Sequence, residues 1–263
     1  MLYLPTSGLV KDFDHSLNGV LSVPSARDPS LREQFGLPPG VLFCSFGEAY
    51  KLDAAMLATW TRMLKRTPGS TLWLPRYNAL AEENLRVHLR ELGVNESQFI
   101  FSPPTLRCLG GRCTRHNGKG SLVLSESEYL AASLAADIYL DNGPGLSSPL
   151  AMASLLWAAV PAVALAGERA VSRGSASLLL SFPAECASLV ASTMHEYEEL
   201  AVSLASRPEA VAHLRQMLRH ERLEAFDTRA WTHKFERALL LSWDSFLATE
   251  SYLHLRSAAV KKD

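Results

Sequence analysis

Short, almost wholly apolar runs recur along this chain with amphipathic stretches between them: VLFCSF at 41–46, TLWLP at 71–75, FIFS at 99–102, IYLD at 138–141 and AVALA at 162–166. A brief run without polar alternation is the mark of a strand covered on both faces, as in a parallel sheet flanked by helices. The stretches between carry helix signals. Asp53 precedes a segment whose Met56, Leu57, Trp60, Met63 and Leu64 share one face, while Lys65 and Arg66 suit the negative end of the helix dipole in its last turn. Pro68-Gly69 stops that helix. A second carries Leu85, Leu89 and Leu92 and ends at Gly93, Ser125 with Glu128 makes a capping box for a helix ending near Ala136, and LAMASLLWAA follows IYLD. Strict alternation predicts an α/β fold, a Rossmann-like parallel sheet with right-handed crossovers and helices on its faces.

Beyond Pro183 the strand signal fades and helices are predicted from about Met194, Arg207 and Thr228, with capping boxes at Thr193/Glu196 and Ser206/Glu209 and a cap at Asp227. The carboxyl-terminal third is therefore expected to be helical. Residues 1–31 form an irregular lead-in, 32–250 one domain with an inserted basic loop at 103–125, and 251–263 a fraying tail. The 26 basic and 27 acidic residues nearly cancel, and no basic face gathers, so a nucleic-acid partner is not expected. Four scattered cysteines in 263 residues predict a reducing compartment rather than a disulfide framework. The amino terminus lacks the basic-then-apolar order of a signal peptide, and the longest apolar stretch, Leu155 to Ala166, is too short for a membrane span and contains Pro161. A cytoplasmic or nuclear protein without membrane attachment is expected.

Lys51 follows the first apolar run by five residues, where open α/β sheets bind ligands, and an ammonium beside a helix amino terminus suits a phosphate. The plainer reading pairs it with Glu48 or Asp53. The loop NGPGLSSP (142–149) supplies glycines, hydroxyls and backbone N–H groups, the ingredients of an anion cradle, although Pro144 and Pro149 each remove a donor; an ordinary strand-to-helix turn is the alternative. In GERAVSRGSASLL (167–179) Glu168 is placed near a helix start and Arg173 within that helix, and the two read as an internal ion pair. Cys108, Cys113 and His116 depart from zinc-finger spacing and lack a fourth ligand nearby, so no metal is expected.

The stretches REQFGLPPGVLFCSFGEAYKLDAAMLATWTRMLKRTPGSTLWLPRYNA (32–79), FIFSPP, AADIYLD, LLWAAVPAVALAGERAVSRGSASLL and FDTRAWTHKFERALLLSWDSFL (226–247) strongly resemble the carboxyl-terminal half of the protein O-GlcNAc transferase catalytic region, whose family includes the SPINDLY-type transferases. The resemblance implies the second lobe of a GT-B glycosyltransferase, which grips a nucleotide sugar while serine or threonine hydroxyls of proteins act as acceptors. UDP-GlcNAc is the implied donor, a substrate rather than a cofactor. The lysine of the family's F-N-Q-x-Y-K motif contacts the donor diphosphate and corresponds to Lys51, the implied catalytic residue; the motif's glutamine is Glu48 here. The family's N-G-H-T-T-G turn aligns with Ser147-Ser148-Pro149-Leu150-Ala151-Met152 after a one-residue insertion, its ribose-binding acid becomes Ser154, and its K-x-x-H corresponds to Glu126 through Tyr129. Donor contacts are thus implied at Glu48, Lys51, Tyr129, Ser147, Ser148, Leu150 and Ser154. The family's first lobe and its tetratricopeptide array have no counterpart in residues 1–31, which implies a missing amino-terminal lobe or a partner protein. The lost His-Thr-Thr leaves a second reading, a catalytically inert glycosyltransferase-like module serving protein contacts.

Overall fold

The strands of the main sheet are so short that burial on both faces is their only source of definition. In the structure, a computed structural model that describes residues 2–3, 32–33, 36–75, 77–102, 107–109, 112–116, 121–123, 133–249 and 255–256, the order is β1 (Leu2–Tyr3), β2 (Leu42–Cys44), α1 (Ala54–Arg66), β3 (Thr71–Leu74), α2 (Ala79–Glu91), β4 (Phe99–Phe101), β5 (Arg107–Leu109), β6 (Arg112–His116), β7 (Ser121–Val123) and β8 (Ile138–Leu140). It continues with α3 (Pro149–Trp157), β9 (Ala162–Leu165), α4 (Gly174–Leu179), α5 (Ala184–Ala187), β10 (Val190–Ala191), α6 (Met194–Ala205), α7 (Pro208–Ala225), α8 (Thr228–Thr249) and β11 (Leu255–Arg256). The six-stranded sheet has the order β10-β9-β8-β2-β3-β4, every neighbour parallel. Every residue of β2, β3, β8 and β9 is buried, as their unbroken apolar sequences require.

Helices cover the strands and lock together through a few polar tethers. Trp60 of α1 donates its indole N–H to the Tyr197 hydroxyl of α6 at 3.3 Å, and that hydroxyl donates to the Asp141 carbonyl at 2.9 Å. Across the same helix pair, the buried Glu198 takes Arg62 at 2.7 Å and Arg66 at 2.9 Å. From α7, Arg222 donates to the Trp157 carbonyl at 2.7 Å and Arg215 to the Ala136 carbonyl, so the helical third closes onto the sheet's amino-terminal edge. At that edge the buried Arg32 binds Asp137 Oδ2 at 2.7 Å, the Ala135 carbonyl at 3.0 Å and the Gly40 carbonyl at 2.7 Å. The outer stretch of α8 leaves Leu240, Trp243 and Leu247 exposed.

Several expectations are corrected. The inserted segment 103–125 is not simply a loop: β5, β6 and β7 form an antiparallel three-stranded sheet, with Leu109 opposite Arg112 and Gly110-Gly111 between them in sequence, a pair suited to a two-residue hairpin. The lead-in and tail pair with each other, Leu2 beside Leu255 and Tyr3 beside Arg256. A sixth strand of the main sheet, β10, lies in the region read as purely helical, and α4 starts at Gly174, after Arg173 rather than around it. The helix predicted from Ser125 falls, up to residue 132, outside the described residues. Among the described residues no helix is long and apolar enough to cross a membrane, and no group of three or more potential metal ligands gathers.

Candidate functional site

The chain runs outward from β2 to β3 and β4, then returns to the other side of β2 and continues through β8, β9 and β10. The connections reverse direction between β2 and β8, which makes the crevice beyond the carboxyl ends of those two strands the expected ligand site. The loops at 45–53 and 141–148 form its walls.

Lys51 closes a short 3-10 turn, Ala49–Lys51, just ahead of α1, whose cap is Asp53 with Oδ1 accepting the Met56 N–H at 2.7 Å. Its ammonium pairs with Glu48 Oε2 at 2.9 Å, and only 17% of its side chain is exposed, so it lies along the protein rather than out in solvent. Burial alone would raise the Glu48 carboxyl, but the hydrogen bond and charge of Lys51, together with a backbone hydrogen bond, hold it below the usual range. Lys51 also bears on Asp141, at the end of β8. Burial pushes Asp141 up to about 6, against hydrogen bonds from the Ser148 and Asn142 backbone and from Ser175 and against the charge of Lys51.

Asp141 and Asn142 organise the crevice. Asp141 Oδ1 accepts from the Ser148 N–H at 2.9 Å and the Ser175 hydroxyl at 2.8 Å, which fixes the starts of α3 and α4. Asn142 Oδ1 accepts from Ser45 Oγ at 3.3 Å and Ser148 Oγ at 3.2 Å, bridging the loops after β2 and β8. A Cβ at Gly47 would stand 2.3 Å from that same oxygen, so glycine is required for the approach. Asp141 Oδ2 and Asn142 Nδ2 are buried and have no hydrogen-bond partner among the described residues. Sequence reading passed over this pair; two adjacent polar residues ending an apolar strand were the available signal.

The residues named from the resemblance divide. Lys51 and Glu48 meet directly. Ser147 and Ser148 flank the crevice but are buried, with their hydroxyls turned inward: Ser147 Oγ donates to the Val171 carbonyl at 3.0 Å, and Ser148 Oγ to Asn142. Ser148 stands at the N-cap of α3 without a side-chain cap bond, and Pro149 follows, leaving that helix's first-turn donors uncapped. Leu150 is 53% exposed in the same turn, whereas Ser154 is fully buried and its hydroxyl returns to the Leu150 carbonyl at 3.3 Å. Tyr129 lies outside the described residues.

Beside the crevice a cleft of about 450 Å³ opens between the loops after β8, β9 and β10, with Asp53, Pro144, Gly145, Gly167 and Glu168 on its walls. Lys51 does not line it. The ion pair expected between Glu168 and Arg173 is replaced, because Arg173 Nη1 donates to the Gly167 carbonyl at 2.9 Å. Gly167 has no room for a side chain: a Cβ there would meet Ser172 Oγ at 2.2 Å and the Pro144 carbonyl oxygen at 2.8 Å. Gly167→Ala should therefore displace the cleft wall and lower stability by about 1–3 kcal/mol, as overpacking does, which urea unfolding will read out.

Residues 10–235 match Glycosyl transferase family 41. The "Probable UDP-N-acetylglucosamine--peptide N-acetylglucosaminyltransferase SEC" of Arabidopsis thaliana is 30% identical over 97% of this chain and 24% of its own length. The "UDP-N-acetylglucosamine--peptide N-acetylglucosaminyltransferase" of Caenorhabditis elegans is 27% identical over 85% of this chain and 18% of its own. The chain thus spans about a quarter or less of these relatives. A solved structure of a mutant Thermobaculum terrenum O-GlcNAc transferase superposes with a TM-score of 0.65 at 24% identity, covering 87% of this chain and 41% of that one, and the likeness is one of fold. With the match to the family extending over most of its length, this chain belongs to glycosyl transferase family 41.

Proposed function

We propose that the chain is the donor-binding lobe of a protein O-glycosyltransferase that takes UDP-GlcNAc and serves transfer to serine and threonine hydroxyls of cytoplasmic or nuclear proteins. The observation that carries this reading is Lys51, mostly buried at the switch point of a family 41 sheet, its ammonium paired with Glu48 and its charge felt by Asp141 across a crevice whose other wall holds the uncapped start of α3. A diphosphate in this crevice exchanges the Glu48 carboxylate for its own oxygens at Lys51 and meets the first-turn N–H groups of α3. As the glycosidic bond to the β-phosphate breaks, negative charge grows on the departing UDP. A fixed cation and a helix amino terminus stabilise that charge without covalent participation. The donor is consumed as a substrate, and no resident cofactor or metal enters the proposal. The wall that holds the acceptor comes from a further lobe, on the same polypeptide or on a partner.

Calorimetric titration of the full 263-residue chain with UDP, UDP-GlcNAc, GDP and GDP-fucose tests this. UDP and UDP-GlcNAc should bind, and Lys51→Ala should weaken both by about tenfold or more, the worth of a hydrogen bond to a charged group. Binding of the guanosine ligands alone would reassign the donor, and silence with all of them would remove the donor site.

A further inference from the structure

We infer that Cys108 and Cys113 form a dithiol site that an anionic low-molecular-weight disulfide, such as glutathione disulfide, oxidises to an intramolecular disulfide. The site is independent of the donor reading and belongs to the inserted three-stranded sheet, which follows β4 in the chain.

The strand register carries the inference. In the antiparallel pair of β5 and β6, Cys108 stands directly opposite Cys113, one step back from Leu109 opposite Arg112. Directly opposed residues of antiparallel strands have Cα atoms about 4.5–5.5 Å apart, inside the roughly 4.4–6.8 Å that a disulfide spans. Opposed residues also share a face of the sheet, because successive residues of a strand alternate between its faces. The same alternation places Arg115 on the face of the cysteines and puts Arg112, Thr114 and His116 of β6 on the other. His116, the third potential metal ligand of this stretch, is thereby separated from the cysteines, and a two-sulfur site remains.

The charge of the segment selects the co-reactant. Thiol–disulfide exchange runs through a thiolate, and nearby cations favour that species. Residues 103–125 carry Arg107, Arg112, Arg115 and Lys119 and no acidic residue, and Arg107 and Arg112 each directly precede one of the cysteines. The same charge attracts an anionic oxidant, and in glutathione disulfide the carboxylates outnumber the amines. The thiolate of one cysteine attacks a glutathione sulfur, forming a mixed disulfide and expelling a glutathione thiolate. The opposed cysteine, as thiolate, then attacks the protein sulfur of that mixed disulfide, closing the Cys108–Cys113 bond and expelling the second glutathione. The protein pair loses two electrons and two protons, which end on two molecules of reduced glutathione. Cys44 and Cys186 stand apart from this chemistry: both are buried, and burial pushes the Cys44 thiol well up and that of Cys186 up to about 11. In a reducing compartment such a pair opens again, so it responds to the redox poise rather than stapling the fold.

The test equilibrates the full chain with mixtures of glutathione and glutathione disulfide, blocks the remaining thiols with iodoacetamide, and maps tryptic peptides by mass spectrometry. Cleavage after Arg107, Arg112 and Arg115 leaves the two cysteines in separate peptides, so a disulfide joins what reduction separates. The joined peptides should exceed either glutathione adduct by about tenfold, because an opposed thiolate outcompetes a second glutathione. They should also form about tenfold faster in the folded chain than in urea, where the register is lost. Cys113→Ser should trap the mixed disulfide as a stable glutathione adduct at Cys108. Alkylation of both cysteines at every glutathione ratio, adducts without joined peptides, or joining to Cys44 or Cys186 overturns the site. Equal rates in urea and in buffer overturn it as well, since closure would then owe nothing to the opposed strands. Absence of the adduct in Cys113→Ser overturns the exchange route.

Discussion

Arg32→Met is expected to lower the folding free energy by about 3 kcal/mol, the low end of what removing one partner from a buried ion pair costs. Arg32 is 6% exposed, and its guanidinium bonds to Asp137 Oδ2, the Ala135 carbonyl and the Gly40 carbonyl. It thereby joins the segment before β2 to the turn before β8. Methionine matches its length but satisfies none of these acceptors, and it leaves the buried Asp137 with the Leu42 N–H at 2.7 Å but without this cation. Urea unfolding will show a lower midpoint at an unchanged slope. Adding Asp137→Asn to the Arg32→Met background should restore part of the loss, since the stranded charge is the larger share of it. No recovery in the double variant would assign the cost to the carbonyls instead.

Asp141→Asn is expected to flatten part of the pH dependence of stability. In the folded chain burial raises Asp141 from its usual 3.8 to about 6. A raised carboxyl contributes stability that is fully present below the unfolded value and is lost as pH rises through the folded one. The window is therefore about pH 4 to 6, and a shift of this size corresponds to roughly 3 kcal/mol. Asparagine does not titrate, and its carbonyl oxygen keeps the two hydrogen bonds from Ser148 and Ser175. Measured as the difference between variant and wild type, which cancels the other carboxylates, stability should move in favour of the variant by up to about 3 kcal/mol between pH 4 and pH 7. A difference that stays constant across that range would mean Asp141 titrates normally. Lys51 loses a facing charge in the variant, so its nucleotide affinity is worth recording in the same samples.

The five longer strands of the main sheet were legible because burial on both faces forces an unbroken apolar run, as in IYL of β8 and AVAL of β9. The two-residue strands were not, since Val190–Ala191 and the pairing of Leu2 with Leu255 are too short to carry any period. The three-stranded insertion hid behind its arginines, although Gly110-Gly111 between Arg107–Leu109 and Arg112–His116 is a hairpin signal. In the crevice, the place of Lys51 followed from chain order alone. The bracket formed by Asn142 did not, because its partner Ser45 is 97 residues away and a serine's orientation leaves no trace in sequence. For the same reason nothing in the letters reveals that the hydroxyls of Ser147 and Ser148 turn inward.

The three-residue strands β2 and β8 carry Arg32 with Asp137 at one end and Lys51 with Asp141 at the other. A span of that length, about 10 Å, keeps the two clusters out of hydrogen-bond reach of each other, so a side chain can be exchanged in one without breaking a bond in the other. Lineages of this lobe can therefore change what they bind at one rim while the opposite rim keeps the scaffold robust, a division of labour that makes short parallel strands evolvable.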